Sequence, residues 1–158
     1  MSPFKRYALL AIFLVSASAG ALRADHRNFG LGVEFGAPTA LSGKLWLNHE
    51  NAIDFAIGGL GYYYGRNYGG LNVHADYLWH RYGVFGGIGS DAGSKMPLYI
   101  GFGGVFQSPE VVGARGVIGV TYLFDAPFDV FFEMAPTLVI LPYSGFGVSA
   151  GLGGRFYF

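Results

Sequence analysis

Hydrophobic residues recur at every second position through most of this chain beyond its first 25 residues. In the stretch LNVHADYLWH, one face carries Leu71, Val73, Ala75, Tyr77 and Trp79. The opposite face carries Asn72, His74, Asp76 and His80. The stretches FDVFFEMAPTLVIL and FGVSAGLGGRFYF show the same period of two. Because successive side chains of a strand point to opposite faces, whereas a helix repeats every 3.6 residues, the pattern predicts β-strands.

Glycine, proline and polar clusters divide the chain into about eight such segments. The predicted strands are 28–36, 40–48, 52–64, 70–82, 96–107, 113–124, 128–141 and 146–158. Connections such as NHEN and DAPF are short, and no segment between strands has a helical period. Parallel strands need crossover connections, usually helical, so the pattern favours an antiparallel meander.

Two architectures fit an antiparallel meander: a soluble sandwich or lipocalin-like barrel, and a membrane barrel with a polar interior. The polar faces carry ionisable residues of both signs, namely Glu34, Lys44, Asp54, His74, Asp76, Arg115, Glu133 and Arg155. The same faces carry Gly30, Gly32, Gly58, Gly101, Gly103, Gly119, Gly147, Gly151 and Gly153. Glycine weakens a strand that faces water, but inside a narrow barrel it makes room for long side chains. The sequence therefore predicts an eight-stranded antiparallel up-and-down transmembrane β-barrel with a closed, charged and glycine-rich interior.

The composition of the apolar faces also favours a bilayer. Charged residues make up 13% of the chain, against about 25% in soluble domains. Aromatic residues lie near the predicted strand ends, including Phe29, Phe35, Tyr63, Tyr77, Trp79, Phe106, Tyr122, Phe124, Phe128, Phe146, Phe156 and Phe158. Aromatic girdles that flank an apolar band are typical of outer-membrane barrels. The 27 glycines interrupt the apolar stretches, so a spanning helix of roughly 20 apolar residues is not expected beyond the N-terminus.

The first residues have the pattern of an export signal. Lys5 and Arg6 precede the apolar run YALLAIFLV, and the small residues of SASAGALRA follow. This order predicts a signal peptide over residues 1–24, cut after Ala19, Ala21 or Ala24, and a barrel over residues 25–158. An uncleaved signal anchor is the alternative. Export and the membrane barrel together predict the bacterial outer membrane, hence a Gram-negative envelope.

An even number of strands places both termini on one side, which we expect to be the periplasm. The external loops are then GAPTA, YGRNYGG, QSPEVVGA and LPYSG. Near the second loop lie Tyr62, Tyr63, Tyr64, Arg66 and Tyr68, which belong either to the upper aromatic girdle or to a contact with a surface partner.

Candidate sites for chemistry are weak in this sequence. His74, Asp76 and Asp54 lie on inward faces, where they serve either acid–base chemistry or a structural ionic network, and the network is our prediction. His26, His49, His74 and His80 are scattered, so no metal ligands are predicted. The motifs GIGSDAG and GFGVSAG do not open a helix after a strand, and Ser149 has no matching histidine. We predict no catalytic residues and no cofactor. The formal net charge of zero also argues against nucleic acid.

Four stretches together carry a family resemblance: APTALSGKLWL, HADYLWH, VTYLFDAPFDVFFEMAPTL and GLGGRFYF. They resemble a family of small, uncharacterised, eight-stranded bacterial outer-membrane barrels, allied in architecture to the OmpA transmembrane domain and OmpX. The resemblance spans residues 28–158 and implies fold and location, with no catalytic residues to carry over. Leu152, Phe156 and Phe158 resemble the signal read by the barrel assembly machinery, although Gly154 departs from its alternation.

The functional expectation follows from the barrel. An eight-stranded barrel is filled by its own side chains, which excludes a wide pore. We expect a monomer in outer-membrane lipid with a structural or surface-interaction role and a possible external ligand at its short loops. The alternatives are a narrow or gated small-ion channel and a lipid-modifying enzyme.

Overall fold

The computed structural model describes residues 28–63, 66–87, 93–108 and 110–158, with side chains at all of these except 60–63 and 66–69. The predicted signal peptide and His26 lie outside the described residues, as do the side chains of the tyrosine group around residues 62–68. Within the described ranges, no helix is long and apolar enough to cross a membrane.

Eight antiparallel strands form one closed barrel in sequence order. They are β1 (Phe29–Gly36), β2 (Thr39–Trp46), β3 (Asn51–Tyr63), β4 (Arg66–Arg81), β5 (Leu98–Gln107), β6 (Val111–Leu123), β7 (Phe128–Leu141) and β8 (Gly145–Tyr157). The predicted number of strands, their order and their antiparallel pairing are confirmed.

Pairing of β1 with β8 closes the sheet. Gly30 lies opposite Tyr157, and Glu34 lies opposite Gly153. The backbone N–H of Phe158 donates to the carbonyl of Phe29 over 3.0 Å. Because the sheet is closed, it has no edge strand and therefore no row of unpaired backbone N–H and C=O groups along an edge.

The connections differ in length at the two ends of the barrel. At the upper end, where β1 ends, the strands are joined by residues 37–38, 64–65, 108–110 and 142–144. At the lower end, where β1 begins, the connections are residues 47–50, 82–97 and 124–127. The predicted external loop 64–70 is too long, because β4 begins at Arg66 and its backbone pairs with the end of β3. A register shift after Gly58 lets this ladder continue to Tyr63.

The alternation seen in the sequence decides which side chains fill the interior. Along β7, Asp129, Phe131 and Glu133 are buried, while Phe128, Phe132 and Met134 are exposed. The other strands alternate in the same way, with apolar residues outward. The polar-in, apolar-out arrangement predicted from the sequence is therefore confirmed.

Candidate functional site in the barrel interior

The eight ionisable residues predicted to face inward all lie in the interior. Glu34, Lys44, Asp54, His74, Asp76, Arg115, Glu133 and Arg155 are each at most 4% exposed. They come from seven of the eight strands, so their contacts cross the lumen. We call this set, together with Asp129 and His80, the interior network.

Arg115 on β6 links two carboxylates. Its Nε lies 3.1 Å from Oδ2 of Asp76 on β4, and its Nη2 lies 2.9 Å from Oε1 of Glu133 on β7. The hydroxyl of Tyr99 donates to Oε2 of Glu133 over 3.0 Å. Removal of ions from water is costly, and these ion pairs and hydrogen bonds offset that cost.

Arg155 on β8 forms a second centre. Its Nη2 lies 2.6 Å from Oδ2 of Asp54, and its Nε donates to Oγ of Ser42 over 2.9 Å. The guanidinium carbon lies 3.7 Å from the centre of the Phe131 ring. Asp129 is more distant, with 3.9 Å between its Oδ2 and Nη1 of Arg155. Arg155 therefore connects β8 with β2, β3 and β7 through one side chain.

Lys44 has a different type of partner. Its Nζ lies 2.8 Å from Nε2 of His80, while Nδ1 of His80 lies 3.1 Å from the carbonyl of Glu50. Because a carbonyl only accepts, Nδ1 carries the proton and Nε2 accepts from Lys44. The ammonium also lies 4.5 Å from the centre of the Trp46 ring, a cation–π distance.

Inward glycines make room for these side chains. A Cβ added at Gly151 would overlap the carboxylate of Glu34, and one at Gly119 would overlap the ring of Tyr99. At Gly103 an added Cβ would overlap Asp76 and the backbone of the neighbouring strand. Large side chains on some strands therefore occupy the space that glycines leave on others.

The histidine and carboxylates considered for acid–base chemistry are not brought together. Asp54 lies with Arg155 and Asp76 with Arg115, whereas His74 lies near Glu34 and Glu133. Ligand atoms of these last three residues all lie within 4.8 Å of one another. Ser149, the serine of the GVSAG motif, donates to the carbonyl of Ala135 over 3.2 Å. Neither the group of Glu34, His74 and Glu133 nor the contact of Ser149 pairs a nucleophile with a base.

Several interior residues were not included in the ionic network predicted from the sequence. Asp129 accepts from the hydroxyl of Tyr157 over 2.6 Å, and Tyr99 and Ser42 complete the two arginine centres. Asp129, Tyr157 and His80 occupy inward-facing positions of the alternating pattern. That pattern was the sequence signal from which they could have been included. Their partners follow from closure of the barrel, which sequence periodicity does not specify.

Comparison with known proteins supports the fold alone. No family model matches this sequence, and no curated protein matches it. A solved structure, the N-terminal β-barrel domain of Pseudomonas aeruginosa OprF, is similar with a TM-score of 0.57 and 15% sequence identity. The match covers 82% of this chain and 95% of the OprF domain.

Proposed function

We propose that this chain is a bacterial outer-membrane barrel protein with a structural or surface-interaction role and no catalytic activity. The observation that carries the proposal is the distribution of polarity, with ionic side chains inside the barrel and apolar side chains outside it. Among the outward-facing strand residues whose side chains are described, Arg81 is the only charged one, and it lies at the end of β4. A soluble barrel would place its charges on this surface.

The exterior is arranged in layers that match a bilayer. Aromatic side chains at the lower end include Trp79, Tyr122, Phe124, Phe128, Phe156 and Phe158, and those at the upper end include Phe35, Phe106, Tyr143 and Phe146. Between them lie exposed aliphatic residues such as Leu41, Ile57, Ile100, Ile118 and Val148. Two aromatic girdles that flank an apolar band are typical of the lipid-facing surface of transmembrane β-barrels.

The interior supports a structural role. The Arg115 and Arg155 centres cross the lumen, and the valines Val105, Val111 and Val139 form an apolar cluster towards its upper end. Because the closed sheet has no free edge, a monomer is expected. The upper connections are short, and Tyr143 in one of them is 83% exposed, which offers a small surface for an external partner.

Site-directed spin labelling tests membrane insertion cleanly, because the chain contains no cysteine. We expect a nitroxide attached at Ile118→Cys, on the outward band in the middle of β6, to collide with oxygen but not with a water-soluble nickel chelate in lipid vesicles. The matched label at Ser144→Cys, in an upper connection, should show the reverse. Nickel access at residue 118, together with a monomer that stays soluble without detergent, would refute the proposal.

The terminal strand is proposed to guide assembly as well. Leu152, Phe156 and Phe158 point outward, and Gly154 between them packs beneath the ring of Phe128. We expect Phe158→Ala to reduce the fraction of folded protein in outer membranes, measured by heat-dependent gel mobility. Refolding of the same variant into detergent should be unchanged, which separates recognition by the assembly machinery from stability.

A further inference from the structure

One cluster in the interior network contains a carboxylate that forms none of the ion pairs in the described part of the chain. It consists of Glu34 on β1, His74 on β4 and Glu133 on β7, and their ligand atoms lie within 4.8 Å of one another. These strands are spaced around the closed barrel, so the three side chains converge from different sides of the lumen. All three are at least nine-tenths buried.

The His74 ring has a buried nitrogen that lacks a hydrogen-bond partner among the described residues. His74 is 2% exposed, and within the described part of the chain its Nδ1 has no hydrogen-bond partner. Buried polar atoms in proteins nearly always have a partner. A neutral imidazole nitrogen beside two carboxylates is a typical metal ligand.

The charge of the interior indicates which kind of ligand would fit. The buried carboxylates are Glu34, Asp54, Asp76, Asp129 and Glu133, whereas the buried cationic side chains are Lys44, Arg115 and Arg155. Counted in their ionised forms, these are five negative groups against three positive ones, a formal excess of two. In the described part of the chain Glu34 forms none of the ion pairs, so part of this excess lies at the cluster. A divalent cation there would neutralise it.

We propose that Glu34, His74 and Glu133 bind one divalent first-row transition-metal cation inside the barrel. The imidazole favours such a metal over Ca²⁺ or Mg²⁺, which take oxygen ligands. Tetrahedral ligands of zinc lie roughly 3.4 Å apart, and shifts of about 1 Å by the side chains close the observed cluster to that spacing. Three protein ligands leave a fourth position for water.

The surroundings of the cluster suit this role. Glu133 already accepts from Arg115 and Tyr99, but each carboxylate oxygen has a second acceptor site. Gly151 lies opposite Glu133 on the neighbouring strand. It also leaves the space into which the Glu34 carboxylate projects. The site goes beyond the proposed structural role and does not require the protein to be located in an outer membrane.

The test uses untagged full-length protein refolded in detergent with ZnCl₂ or with a chelator, followed by gel filtration and elemental analysis. We expect one zinc ion per chain, and a Kd raised at least about 10-fold in Glu34→Gln and in His74→Gln. The control His49→Gln, which alters an exposed histidine whose ring packs against Tyr82, should bind zinc as the parent does. Co²⁺ in place of zinc should give the intense visible absorption of a tetrahedral site.

Folding is scored separately by heat-dependent gel mobility, so a variant that fails to fold is not counted as a loss of binding. If His74→Gln does not fold, Glu34→Gln and Gly151→Ala still decide the matter, since both alter the carboxylate side of the site. Folded parent protein without zinc, or folded variants that bind it as tightly as the parent, would overturn the proposal. Neither result would affect the spin-label test of membrane insertion.

Discussion

Replacement of Arg155 by methionine is the most direct test of the interior network. The substitution keeps an unbranched, flexible side chain but removes the 2.6 Å contact with Asp54, the hydrogen bond to Ser42 and the cation–π contact with Phe131. Loss of one partner from a buried ion pair costs about 3–5 kcal/mol, because the other charge remains buried. With the lost hydrogen bond of about 1 kcal/mol, the free energy of unfolding should fall by about 4–6 kcal/mol.

A double-mutant cycle separates this interaction from general disruption. Asp54→Asn alone should cost about 1–3 kcal/mol, since Arg155 keeps Ser42 and its more distant contact with Asp129. In the double variant no unpaired Asp54 charge remains. The decrease in the free energy of unfolding should therefore be smaller than the sum of the two single decreases by at least about 1 kcal/mol.

The measurement is equilibrium unfolding in urea from lipid vesicles, followed by the fluorescence of Trp46 and Trp79. Arg81→Met, an exposed change at the end of β4, serves as the control and should alter stability by no more than about 0.5 kcal/mol. If the Arg155 and Asp54 effects add within about 0.5 kcal/mol, the two side chains do not stabilise each other and the network interpretation fails.

Three further predictions concern the space inside the lumen, the depth of outward residues in the bilayer and the conduction of ions. Gly103→Ala should destabilise the barrel by about 1–3 kcal/mol in urea unfolding. Gly104→Ala, whose added Cβ would meet only one atom, at 3.7 Å, should leave stability nearly unchanged. Equal effects of the two substitutions would argue against a filled lumen. Ile118→Arg, in the middle of β6, should cost about 2–4 kcal/mol in a bilayer, whereas Tyr122→Arg near the lower rim should cost about 0–1 kcal/mol. Planar bilayers should show no steady unitary conductance, and a conductance that changes in Glu133→Gln would contradict a sealed interior.

The fold was predictable because its main determinant is a local pattern. Polarity alternates with period two along LNVHADYLWH and FDVFFEMAPTLVIL, and each residue's face follows from its position. The position of β7, Phe128–Leu141, agrees with the prediction at both ends. The start of β4 at Arg66 was missed because Tyr68 and the glycines beside it look like a turn, whereas the register shift after Gly58 keeps them paired.

The contacts inside the lumen were less predictable than the set of residues that enter it. Arg155 contacts Asp54 on a strand that is not its neighbour, so no rule on adjacent strands identifies the pair. The convergence of Glu34, His74 and Glu133 likewise depends on the diameter and stagger of the closed sheet. Sequence spacing alone led to the expectation that the histidines are scattered, and along the chain they are.

Complementary sizes of interior residues on neighbouring strands, such as Gly119 opposite Tyr99, imply that these positions change in pairs. A Cβ at Gly119 would overlap the outer part of the Tyr99 ring, so Gly119→Ala alone should cost about 1–3 kcal/mol. Tyr99→Leu shortens the opposing side chain and removes the overlap, although it also removes the hydrogen bond to Glu133. The double variant should therefore lose less stability in urea unfolding than the two single variants combined. Strict additivity would mean that the backbone moves to accept the methyl group, and that glycine at 119 is not required by Tyr99.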